Sequence, residues 1–375
     1  MAFKNFLKRV FPLPANSSYN QTQLIISRID KLEQNTLPCE ISQDEHISNE
    51  TMVTLAYNLI LGREPENDSN LNRHFSNYQD LRREFMSSEE FKKICKKIIG
   101  NMDSEVHISD YNYHPKYRNT LKSSQIGEII NSWYAENKQE ALSLMSQLVS
   151  YKKEYEQISF NTQSNGVPQW DNIFISPFDA MSIYGLIALK NPRFYVEVGS
   201  GNTTLFAAQS IRDNKLRTKI ISIDPYPRAD CNDLCYELYR IPFEEMDLSF
   251  FEKLTADDIL LVDNSHRSFT NSDVTVFFTE VLPKLPSGLL YTIHDIFLPD
   301  DYPEEWSVQE RRWYNEQYLL CSYLLGGANG DKIKLPAMFL SQQPEVVSSC
   351  KPLWGEGKLF GKKTLQGGLF WMVKA

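Results

Sequence analysis

Phe194-Tyr195-Val196-Glu197-Val198-Gly199-Ser200-Gly201-Asn202-Thr203-Thr204, followed by Ile220-Ile221-Ser222-Ile223-Asp224, decides the fold. An apolar β-rich run stops at two glycines one residue apart, and a helix-compatible segment, 205–211, follows. A second β-run then ends in a carboxylate. Strand, glycine turn, helix, strand and acid form the first half of a nucleotide-type α/β site. Gly199 and Gly201 permit a tight turn and let a ligand approach the backbone. Asp224 is expected at the tip of the neighbouring strand, where it can accept hydrogen bonds from both hydroxyls of a ribose.

Two further apolar runs end in the same way. Asp258–Asp263 leads into Asn264-Ser265-His266, and Gly288–Ile293 leads into His294-Asp295. Ligands of open α/β sheets bind outside the carboxyl ends of the strands, so Asp224, Asp263, His266, His294 and Asp295 are expected on one edge. The helix predicted from Ser176-Pro177 onward precedes the first strand, and the alternation from there implies a parallel sheet with crossover helices.

A dinucleotide fingerprint would place a third glycine at 204, which is Thr204. The glycine turn, Glu197-Val198-Gly199-Ser200-Gly201-Asn202, instead resembles the first motif of class I methyltransferases that use S-adenosylmethionine, with Asp224 matching their ribose acid. That donor carries no phosphate to cradle. The resemblance narrows to methyltransferase family 24 through the tips at 262–266 and 294–297 and the run Leu298-Pro299-Asp300-Asp301-Tyr302-Pro303. Arg312–Leu320 and Gly367–Trp371 extend it, so it covers roughly 170–373. It implies a Rossmann-like, mostly parallel sheet with helices on both faces. It also implies S-adenosylmethionine as donor, bound by Glu197, Gly199, Ser200, Gly201, Asn202, Asp224 and Asp263, and an oxygen acceptor.

A hydroxyl acceptor must lose its proton as the new bond forms, and an imidazole suits that role at neutral pH. His266 is therefore the expected general base, with Asp263, His294 and Asp295 around it. Asp263, Asp295 and His294 are alternatively ligands of Mg²⁺ or Mn²⁺, as related oxygen methyltransferases place metal-binding acids at these tips. His294 stands where some of them carry a second carboxylate. Tyr302, Trp306, Arg312, Trp313 and Asn315 are either an acceptor lid or core packing.

The chain has 375 residues and a net charge of −9, which argues against broad nucleic-acid binding. It contains no apolar run near the roughly 20 residues that span a bilayer, and its N-terminus lacks a secretory signal pattern. Six scattered cysteines read as free thiols of a cytoplasmic protein. Residues 1–48 form an N-terminal segment whose first fourteen residues read as a basic amphipathic helix. A peripheral contact with the inner membrane surface and packing on protein stand as alternatives for it. Residues 49–99 read as a small helical module through Ala56–Pro65 and Leu81–Phe91. These stretches resemble the phycobilisome-linker-like modules of bacterial glycan-modifying proteins. Residues 100–124 read as a linker, and residues 125–375 as the methyltransferase domain with a helical lead-in of two helices near 125–136 and 138–157.

The company of that module suggests a glycan, sugar or similar small acceptor, and an oligomer is compatible with the sequence. The competing readings are an NAD(P)-dependent sugar-nucleotide oxidoreductase, disfavoured by Thr204, and a non-catalytic scaffold.

Overall fold

The computed structural model describes residues 115–375 apart from 162–165, 228, 230 and 362, together with eight scattered residues between 53 and 88. The N-terminal segment, the helical module's course and the linker up to 114 lie outside the described residues. Residues from His114 to Ala375 form one compact unit.

The unit opens with helix α1, Gln125–Ser150. Two helices were expected here, broken near 137. Asn137 instead donates its side-chain amide to the Trp133 carbonyl at 2.9 Å, four residues back, so its polar group is satisfied inside a continuous helix. Helix α2, Pro177–Lys190, starts where expected: Ser176 accepts the Asp179 N–H at 3.0 Å, and Pro177 occupies the first turn, where no N–H is needed. Asn191 closes it in the left-handed conformation (φ 48°).

Strand β1, Phe194–Val198, leads into helix α3, Asn202–Asp213, and strand β2, Lys219–Ile223. Strands β3, Glu237–Tyr239, β4, Ile259–Val262, and β5, Leu290–Ile293, follow. A short helix α4, Asp273–Val276, lies between the last two. Helix α5, Glu316–Leu325, precedes β6, Lys332–Pro336, and β7, Phe370–Val373, closes the sheet. The sheet order is β3-β2-β1-β4-β5-β7-β6. The first five strands run parallel, while β7 runs antiparallel to both β5 and β6. The mostly parallel sheet is therefore present, with a C-terminal antiparallel β6–β7 pair at one edge.

Every residue of β4 and β5 is buried, as their largely apolar sequence requires when both faces of the sheet are covered. Tyr155, Trp170, Tyr184 and Phe206 pack edge to face or tilted between the lead-in helices and α3. Val198 lies opposite both Ile223 and Val262, and Val262 opposite Ile293. The next residues, Gly199, Asp224, Asp263 and His294, therefore emerge in one row along the carboxyl edge. Backbone bonds hold this row past the strand ends: Gly199 N–H to Ile223 O at 2.9 Å, Asp263 N–H to Val198 O at 2.8 Å, and His294 N–H to Val262 O at 2.9 Å.

Candidate functional site

The glycine turn is fixed by four side chains. Gly199 has φ +81°, and a Cβ there would lie 1.7 Å from the Asp263 carbonyl oxygen. Ser200 N–H donates to Asp224 Oδ2 at 2.7 Å, and its hydroxyl lies 2.6 Å from that of Ser222. Gly201 N–H donates to Thr204 Oγ1 at 3.0 Å, and the Thr204 hydroxyl donates to Glu197. Thr204 thus does at the third-glycine position what a glycine could not: it ties the turn to the strand below. Glu197 is fully buried and also accepts from Tyr195 OH at 3.2 Å. Burial pushes its carboxyl up to about 8, although the Thr203 and Thr204 hydroxyls act in the opposite direction. Glu197 therefore sits beneath the turn and supports it, rather than facing the cleft.

That cleft has a volume of about 390 Å³ and opens between the tips of β1, β2 and β4. Gly199, Ser200, Gly201, Asn202, Asp224 and Asp263 line it. Asp224 accepts Ser200 N–H through Oδ2 and Tyr226 N–H through Oδ1, both at 2.7 Å. Each oxygen keeps a lone pair for an incoming hydroxyl.

A second cleft of about 370 Å³ adjoins the first. Phe174, Ile175 and Asp263 line both. Its floor holds Asp179, His266, His294 and Asp295, and Trp306, Arg312 and Tyr314 form a wall. The expected lid residues divide here. Trp306 stacks under Arg312, whose guanidinium carbon is 3.7 Å from the ring centre, and both face the cleft. Tyr302 is buried, its hydroxyl accepting Gln317 N–H at 3.1 Å. Asn315 accepts Ser268 N–H at 2.7 Å, pinning the loop that carries His266. Trp313 does not line either cleft.

Asp263, His266, His294 and Asp295 converge in space. His266 Nε2 lies 3.2 Å from Asp263 Oδ1 and 3.4 Å from Asp295 Oδ2. His294 Nδ1 lies 3.1 Å from Asp263 Oδ1 and 3.7 Å from Asp295 Oδ1. Both His266 and Asp295 have positive φ, 59° and 54°, uncommon for residues other than glycine. Strain of this kind persists only where surroundings over-determine it. Burial disfavours the charged form of both imidazoles, but the carboxylates overrule it. Asp295, Asp263 and Glu316 hold His266 well above its usual value, and Asp263 and Asp295 push His294 up to about 10. Asp263 is likewise subject to burial, yet the two imidazoles hold it well below the usual carboxylate range.

Two acids of this site carry no signal in the sequence. Glu316, fully buried at the start of α5, lies 3.0 Å from His266 Nδ1 and accepts from Asn264 at 3.1 Å. With its Nδ1–H donated to Glu316, His266 presents an unprotonated Nε2 to the clefts only in its neutral form, which the surrounding carboxylates disfavour. Asp179, buried in the first turn of α2, accepts Gly368 N–H at 2.7 Å and Leu369 N–H at 2.9 Å, which secures the entry to β7. The helical polar pair Glu316-Gln317 looks like a solvated surface until the fold buries it.

Donor atoms of Asp263, His266 and His294 all lie within 4.8 Å of one another, close enough to share a divalent ion. Cys231, Cys235, Cys321 and Cys350 are free thiols. Among the described residues no helix is long and apolar enough to cross a membrane.

No curated protein matches the chain. Among solved structures, it resembles an O-methyltransferase from Bacillus cereus in complex with SAH at 14% identity, covering 65% of this chain and 100% of that one, with a TM-score of 0.31. It resembles the MycE methyltransferase of the mycinamycin pathway, in complex with Mg, SAH and mycinamycin VI, at 16% identity over 48% of this chain and 47% of that one, with a TM-score of 0.30. Likenesses of this size leave the site to be judged on its own residues. Residues 196–296, from within β1 to just past β5, match the family model Methyltransf_24, described as a methyltransferase domain. The glycine turn, Asp224, Asp263, His266, His294 and Asp295 all fall inside that match, so the chain carries a methyltransferase domain.

Proposed function

We propose that the protein transfers the methyl group of S-adenosylmethionine to a hydroxyl of a sugar, glycan or similar small acceptor. The observation that carries this reading is the pair of adjoining clefts that share Asp263, Phe174 and Ile175. One is built from a glycine turn and a strand-tip carboxylate, the other from imidazoles, acids and an aromatic wall. A donor and an acceptor held on either side of Asp263 need only a short approach, and such positioning supplies much of the rate acceleration of a displacement.

The donor, when bound, supplies an electrophilic sulfonium methyl carbon. Asp224 holds its ribose hydroxyls, and the backbone from Gly199 to Asn202 lies against it without intervening side chains at the two glycines. The acceptor hydroxyl sits over the floor of the second cleft, and its proton passes to Nε2 of the neutral fraction of His266, a fraction that the surrounding carboxylates reduce and that grows with pH, as the new C–O bond forms and the C–S bond breaks. Glu316 keeps the other ring proton in place and stabilises the imidazolium that results. Trp306 and Tyr314 offer ring faces to a sugar. Asp263, Asp295 and His294 would hold a divalent ion, which lowers the pKa of a bound hydroxyl.

The test is calorimetric titration with S-adenosylmethionine and with NADH, followed by mass spectrometry of candidate acceptors incubated with protein and donor. Binding of the first and not the second, with a gain of one methyl mass on an acceptor, supports the reading. NADH binding at the turn would favour the oxidoreductase. An intact fold that binds neither would leave the scaffold.

A further inference from the structure

We propose that the second cleft takes a sugar bearing an oxyanion, a carboxylate or a phosphate, which the guanidinium of Arg312 grips while a hydroxyl of the same sugar lies at His266. The proposal rests on the methyl-transfer reading in placing that hydroxyl at the base. Recognition of the anion rests on the cleft wall alone.

Arg312 is held more firmly than a partly exposed side chain requires. Its N–H donates to Trp306 O at 2.9 Å, and its carbonyl accepts Arg267 Nε at 2.9 Å. Its guanidinium carbon lies 3.7 Å from the Trp306 ring centre, and its Nε donates to Glu310. The residues on either side, Arg311 and Trp313, have φ of 50° and 59°, left-handed values that persist only where the surroundings impose them. The two terminal amino groups make no hydrogen bond among the described residues, and Arg312 lines the cleft. A planar fork fixed in this way can meet a carboxylate or phosphate through two parallel N–H bonds, with little ordering left to do on binding.

The acids of the cleft do not compete for that fork. Asp179 is engaged by the Gly368 and Leu369 N–H groups, and Asp263 and Asp295 face the two imidazoles. Glu310 does not line the cleft and is 40% exposed, so water weakens its hold on Arg312. Arg267 adds a second permanent positive charge behind the Arg312 carbonyl. Lys363 lines the same cleft, paired with Asp171 at 3.0 Å. Tyr314 links the two ends of the site. Its ring centre is 4.6 Å from that of His266 and 5.9 Å from the Arg312 guanidinium carbon. A pyranose laid along this tyrosine reaches both, with a hydroxyl toward His266 Nε2 and an anionic substituent toward Arg312.

The experiment titrates the full chain with methyl glucuronide, glucose 6-phosphate and the neutral methyl glucoside, with affinities read by nuclear magnetic resonance at low salt. At least one anionic sugar should bind at least ~10-fold tighter than the neutral one. Whichever of the two binds tighter identifies the anion as carboxylate or phosphate. The preference should shrink at about 1 M salt, where screening is strong. Arg312→Gln should bring anionic and neutral sugars within about threefold of each other, and Arg312→Lys, which keeps the charge without the fork, should weaken anion binding at least ~3-fold. Thermal midpoints near that of the wild type show that both variants are folded, and if Arg312→Gln is not, Arg312→Lys decides. Equal or absent binding of all three sugars, an anion preference that survives Arg312→Gln, or wild-type anion affinity in Arg312→Lys overturns the inference. S-adenosylmethionine titrated into the same samples separates the two failures. Donor binding without an anion preference sinks only this inference, and absent donor binding sinks the methyl-transfer reading.

Discussion

Gly199→Ala measures how tightly the first cleft is specified. The φ of +81° costs an alanine about 1–2 kcal/mol. Its Cβ would also lie 1.7 Å from the Asp263 carbonyl oxygen, about half an ordinary contact distance, so one backbone must yield. Displacing close-packed backbone costs about 1–3 kcal/mol more, giving a total of about 2–5 kcal/mol. At roughly 2–4 °C per kcal/mol for a unit of this size, the thermal midpoint should fall about 4–20 °C. Because the Asp263 carbonyl belongs to the wall shared by both clefts, donor affinity measured by calorimetry well below the new midpoint should fall at least ~10-fold. Gly357→Ala is the control. Its φ is +70°, but nothing lies within 4 Å of the added Cβ, so it should lose only about 1–2 kcal/mol and bind donor normally. A Gly199→Ala protein with the midpoint and donor affinity of the Gly357→Ala control would refute the close-approach argument.

Asp224→Ala should abolish detectable donor binding, and Asp224→Asn, which retains one acceptor oxygen, should bind at least ~10-fold more weakly than wild type in the same titration. His266→Ala should leave donor affinity unchanged and lower turnover at least ~100-fold, measured by methyl incorporation into an acceptor; equal turnover removes His266 from the mechanism. Glu316→Gln should cut turnover roughly tenfold or more and shift the pH–rate profile, since a neutral amide stabilises the His266 imidazolium less than a carboxylate does. Glu197 keeps its proton in the folded protein up to about 8, whereas in the unfolded chain it releases it near the ordinary value of 4.5. The unfolded state then binds fewer protons, so this group makes stability fall as pH rises from 4.5 to about 8. Glu197→Gln should flatten that part of the curve in urea titrations, and an unchanged slope would contradict the buried neutral acid.

The strand-tip row was legible because β4 is apolar at every position, β5 is broken only by Thr292, and both stop at polar residues, which leaves little freedom for where the tips lie. The metal-ligating and proton-accepting candidates on 263–266 and 294–295 came from the same pattern, and they do meet in space. Thr204 was legible only as a departure from a fingerprint, and its bond to buried Glu197 shows what the hydroxyl does there. The sequence suggested two helices near 125–136 and 138–157, whereas one helix runs on across Asn137, whose side-chain amide is satisfied by the Trp133 carbonyl.

Local chemistry determined the elements and the edge on which the glycine turn and the strand-tip acids gather, since periodicity, glycine turns and terminal acids act over a few residues. Tertiary structure alone decided which carboxylates serve that edge. Glu316 reaches His266 across 50 positions, and Asp179 reaches Gly368 across 189. Glu197, adjacent to the glycine turn, was instead turned beneath it. A carboxylate's role follows from its partners and its burial, and both are set by packing between segments whose separation along the chain carries no sequence signal.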